Sequence, residues 1–185
     1  PRSGGSGEMD AAAGTGWRSG NSSSQGMARR VDSATAARLA REERSSPTVR
    51  ANFSRGSLNR ADLSGSNLEG ALLVKADLVD ANLHSAELQT ADLHGADLRR
   101  ARLCRAQMRH ATLGQADLTR ADLRGADLRN SDLRGARLDG ADLRGADLRD
   151  ADLGGASFRQ ARHDKNTRWP AGFRVILWLH AALGL

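Results

Sequence analysis

Residues 121–130 read ADLRGADLRN, and residues 141–150 read ADLRGADLRD. Working outward from these stretches, the same five-residue unit runs from Ala51 to Gln160, twenty-two times, with no insertion or deletion. The third residue of the unit is Leu in nineteen cases, with Phe53, Met108 and Phe158 as the exceptions. The first is Ala in nineteen, with Gly56, Ser66 and Ser131 as the others. The second is Asp in eleven units and Asn in three. Two inward positions flanking one outward position is strand-like alternation. A period of five throws a flat strand out of register at the next unit, so the chain must turn once per unit to keep Ala and Leu inside. A helix fails the same test, because steps of five residues leave no apolar stripe on one face. Gly at many unit ends suits corners rather than helix interiors. The outcome is an all-β solenoid with a leucine-filled interior.

These residues resemble the pentapeptide-repeat family, whose consensus is A(D/N)LXX, over Ala51 to Gln160 with a degenerate further unit at Ala161 to Lys165. The resemblance implies a right-handed, quadrilateral parallel β-helix with one unit per side and four units per coil. Twenty-two units then make five and a half coils, a rod roughly 26 Å long at about 4.8 Å per coil.

The ends are different material. Residues 1–50 are rich in Ser, Gly, Ala and Arg and are expected to be a disordered or linker segment, with a short candidate helix at 33–44. Met27 is a candidate natural start, and an apolar signal-peptide core is missing from this stretch. Residues 51–165 form the repeat unit of the chain. Residues 166–185 are read as a C-terminal cap and candidate dimerisation helix. Trp169 and Phe173 are placed over the last open coil, followed by Ile176, Leu177 and Trp178. The last apolar run is too short to span a bilayer.

Formal charge is +6, but it is unevenly spread. Residues 1–50 hold eight basic and five acidic side chains, residues 161–185 four and one, and the repeats sixteen of each. Family resemblance suggests one rival function, binding of DNA gyrase by imitating duplex DNA, with protection from quinolones. That imitation needs a strongly acidic surface. Assigning every fourth unit to one side gives side charges of 0, +1, +1 and −2, which disfavours it. Second-position Asp and fourth-position Arg within one unit, such as Asp122 and Arg124, are instead expected to pair across the surface.

Three candidate sites emerge. Arg99, Arg100, Arg102, Arg105 and Arg109 form a basic belt with no acid between Leu98 and Ala116, a candidate anion or partner contact. Nucleic acid is not expected there, since no aromatic residue is interleaved for stacking. Leu72, Val74 and Val79 are a candidate apolar partner patch. Cys104, the single cysteine, lies one coil from His84 and Arg124; it excludes an intrachain disulfide and agrees with a reducing compartment. The five histidines lack metal spacing, and neither a phosphate loop nor a nucleophile elbow is present. No catalytic, metal or cofactor site is therefore assigned. The expectation is a non-enzymatic, bacterial and cytoplasmic module of rigid shape. It binds an unidentified protein partner, is a candidate homodimer through its C-terminus, and has no role at membranes.

Overall fold

The computed structural model describes residues 51–173. The candidate helix at 33–44 and the segment 174–185 lie outside the described residues.

Parallel bridges join residues twenty apart, from Asn52 with Leu72 through Asp142 with Arg162. Four units therefore complete one coil. The side-chain direction follows the pattern of the unit: Leu98, Leu103, Leu113 and Leu118 are fully buried, as are the first-position alanines beside them. Small first residues are required because that wall of the core is tight. Where Ser replaces Ala, its hydroxyl is satisfied locally: Ser66 Oγ donates to the Leu63 carbonyl at 2.7 Å, and Ser131 Oγ to that of Leu128 at 2.6 Å. Each buried leucine contributes on the order of 1.5–3 kcal/mol, largely offset by chain entropy.

Each side contributes a single bridge residue between turns rather than an extended strand. The hydrogen bonds of one unit show why. Leu98 and Arg100 donate forward to the carbonyls of Asp117 and Thr119, at 2.8 and 3.0 Å. Asp97 donates backward to Ala76 at 2.9 Å, and Ala96 closes the preceding turn on Leu93 at 3.0 Å. Only the fourth amide has no backbone partner. The second-position side chain takes it: Arg99 N–H donates to Asp97 Oδ1 at 3.2 Å.

This last bond recurs wherever the second residue is Asp or Asn, in all fourteen such units. It is an Asx-type contact that satisfies the one backbone donor the coil leaves over. The Asp/Asn preference of the repeat thus serves this backbone donor, although the turn itself also forms in the eight units that lack Asp or Asn.

The fifth residue of every unit has a left-handed φ, between 54° and 71°, although only eight of the twenty-two are glycine. The turn, closed by the amide of the next first residue, requires that conformation at its third position. Arg, Lys, Thr and Asp are held there by the ladder on both neighbouring coils.

Candidate functional site

Arginine and aspartate interlock on the outer surface of the second half. Arg124 donates through Nε and Nη2 to the two oxygens of Asp122, both at 2.8 Å. The same two-point contact joins Arg129 to Asp127, Arg134 to Asp132, Arg144 to Asp142 and Arg149 to Asp147. Each of these carboxylates thus receives its neighbour's guanidinium and one backbone amide together. Hydrogen bonding from the arginine, opposed by partial burial, holds all five below the usual carboxylate range. Arg129 and Arg134 also approach the carboxylates of the next coil, Asp147 at 3.9 Å and Asp152 at 3.6 Å. The result is a lattice of fixed, neutralised charges.

The basic belt divides on this criterion. Arg99 is taken by Asp97 at 2.7 Å, and Arg100 by Asp80 through two bonds of 2.8 Å. These two line a shallow depression of about 440 Å³ with Asn59, Arg60 and Val79. Arg102, Arg105 and Arg109 are exposed and form no ion pair among the described residues. Arg102 lies in a bridge beside Asp122, but that carboxylate is engaged by Arg124. The structure therefore separates the five arginines into a paired set and an unpaired set.

Leu72, Val74 and Val79 are half-buried, not fully exposed. Leu72 occupies a second position, so Val74 N–H lacks the side-chain acceptor that serves other units. Cys104 is half-buried, with Sγ 2.7 Å from His84 Nδ1. Arg124, one coil on, is committed to Asp122. Among the described residues no group of three or more His, Cys, Asp or Glu is arranged to hold a metal ion, and no helix is long and apolar enough to cross a membrane.

At the C-terminal end the pattern slips by one residue. The final bridge joins Asp147 to Arg168, twenty-one apart, so Trp169, rather than Arg168, takes the central position of the unit that follows His163. Trp169 packs edge-on against Phe158 and stacks on Phe173 at 5.2 Å between ring centroids. Leu153, Phe158, Pro170 and Phe173 line a groove of about 880 Å³ at this end. Asp164 and Thr167 absorb the slip. Thr167 Oγ1 lies 2.9 Å from the Leu143 carbonyl, and the Asp164 carboxylate accepts the amides of Gly145, Asn166 and Thr167. Those backbone donors, Gly145 foremost, hold the Asp164 carboxyl below its ordinary range. Ile176, Leu177 and Trp178 lie outside the described residues.

A family model for pentapeptide repeats matches in eight copies, over residues 49–84, 61–100, 86–125 and 126–162. The chain belongs to this family. Among solved structures, this pentapeptide-repeat protein is similar to Rfr23 from the cyanobacterium Cyanothece 51142, with 37% identity, 53% of this chain and 63% of that chain covered, and a TM-score of 0.33. It is similar to HetL, a pentapeptide repeat protein involved in heterocyst differentiation regulation from Nostoc sp. strain PCC 7120. There the identity is 33%, with 62% of this chain and 66% of that one covered and a TM-score of 0.28. The pentapeptide repeat protein alr5209 from the same cyanobacterium shares 40% identity, with 55% and 79% covered and a TM-score of 0.35. The chain spans less than two thirds of the length of the first two. No curated protein matches it.

Proposed function

We propose that this pentapeptide-repeat protein is a non-enzymatic, right-handed four-sided rod. On this reading it works as a rigid interaction module for a protein partner in the bacterial cytoplasm. The twenty-residue register carries the proposal. It sets outward side chains in columns one coil apart, on a backbone whose donors are mostly consumed by the ladder and the Asx contacts. Such a surface is preorganised, so a partner orders little of it on binding. The paired Asp–Arg lattice supports the same reading over imitation of duplex DNA, because its carboxylates are already neutralised.

The test is recovery and rebinding of a partner. The full chain is cross-linked in a native extract, the recovered protein is purified, and its affinity is measured against variants of outward columns. The reading predicts that some outward substitutions weaken binding while the melting temperature stays unchanged. A purified partner indifferent to every outward column would contradict it.

A further inference from the structure

No carboxylate lies between Asp97 and Asp117, the longest such interval in the repeats. The same interval contains the one consecutive run of units that abandon the Asp/Asn second position: Arg102, Gln107 and Thr112. Elsewhere such departures are isolated. Here the coil forgoes a stabilising bond in three successive units. Gln107 directs its amide oxygen to Gln89 Nε2 at 3.0 Å. Among the described residues, the amides of Cys104 and Arg109 have no acceptor. Beside them stand the unpaired guanidinium groups of Arg102, Arg105 and Arg109, on two adjacent sides and the corner between them. A local rule broken repeatedly in one place, without internal compensation, marks a functional surface.

We propose that this coil binds the carboxylates of an acidic peptide segment in a partner protein. The inference rests on the interaction-module reading and names its site. The chemistry is a substitution. Where other units place their own carboxylate against the fourth amide and a neighbouring guanidinium, this coil offers both donors to a carboxylate from outside. Guanidinium groups receive carboxylates through two parallel bonds, and the free amides add a third donor type. Nucleic acid fits less well. Three cations release few counterions, and no aromatic side chain stands in this interval to stack a base.

The test uses the full chain and a fluorescein-labelled hexaglutamate peptide, followed by anisotropy at about 50 mM salt, where surface charge is weakly screened. The decisive variant is Arg102→Asp with Gln107→Asp, which restores both internal carboxylates. It is expected to melt no lower than the parent and to bind the peptide at least about tenfold more weakly. Arg99→Gln with Arg100→Gln, which removes two paired arginines, is expected to bind within about twofold of the parent. Absence of saturable peptide binding to the parent overturns the proposal, as does equal binding by the restored variant. Tighter binding of a single-stranded DNA oligonucleotide than of the peptide overturns it in favour of nucleic acid. Any of these leaves the module reading standing, because that reading is judged on a purified partner and on other columns.

Discussion

The Asp164 carboxylate accepts the amide of Gly145 at 2.9 Å, in the place where a backbone carbonyl stands at every corner from Arg55 to Gly140. The extra residue between Arg162 and Arg168 displaces the carbonyl, and a side chain substitutes for it. Asp164→Ala is expected to lower the melting temperature and to speed hydrogen exchange at Gly145. Asp164→Asn, which keeps an acceptor oxygen, should recover much of that protection. Unchanged exchange at Gly145 in the alanine variant would show that the carboxylate does not hold this end of the ladder.

Asp92 isolates the Asx contact, because it bonds the His94 amide at 3.0 Å and has no arginine partner among the described residues. Asp92→Ala is expected to cost about 0.5–1.5 kcal/mol in denaturant unfolding, with Asp92→Asn near neutral. At Leu72, where the contact is missing, Asn should be more stable than Ala by a similar amount. Equal stability of the Asn and Ala variants at both positions would remove the explanation of the Asp/Asn preference.

Thr90 is a β-branched residue held at φ 55°. A left-handed conformation costs an L-residue about 1–2 kcal/mol, and glycine's greater chain entropy returns part of that. Thr90→Gly is expected to stabilise the coil by about 0.5–1 kcal/mol. The reverse change, Gly95→Thr, meets both a φ of +63° and a Lys75 Cγ atom 3.3 Å from the new Cβ. It should destabilise. A loss of stability on Thr90→Gly would show that the corners are unstrained.

Acid should loosen the lattice. Asp122, Asp127, Asp132, Asp142 and Asp147 are held below their ordinary range chiefly by hydrogen bonds from Arg. A depressed folded-state pKa contributes stability that is complete above the unfolded value, about 3.9, and is lost as pH falls through the folded value. The melting temperature should therefore change little from neutral pH to about 5 and fall below about 4. Replacing Arg124, Arg129, Arg134, Arg144 and Arg149 with Gln should shrink the acid-dependent part of that fall. An acid transition of the same size in that variant would assign it to other groups.

The core was legible because only inward Leu and small residues recur with the period, and a period of five admits neither a flat strand nor an amphipathic helix. Surface pairing of Arg124 with Asp122 was legible from their spacing. The backbone role of the second position was missed, although a signal existed: Asn52, Asn67 and Asn82 stand where Asp does, and ion pairing gives no reason for an uncharged substitute. The split of the basic belt was half legible: a twenty-residue coil sets Asp80 beside Arg100, as found, but it equally sets Asp122 beside Arg102, and that carboxylate is taken by Arg124. The slip near Asp164 was hidden by Arg162, which keeps the register one unit longer. The spacing of six from His163 to Trp169 was its only trace in the chain.

Coil size is tested most directly through the native Cys104. Residues twenty apart face each other in adjacent coils, within the Cα separation that a disulfide tolerates. Single variants Arg124→Cys, Thr119→Cys and Arg129→Cys are oxidised under dilute conditions, and free thiols and mass are measured. The four-unit coil predicts an intrachain disulfide for Arg124→Cys alone. A disulfide between Cys104 and position 119, or none with position 124, would contradict the coil and everything placed on it.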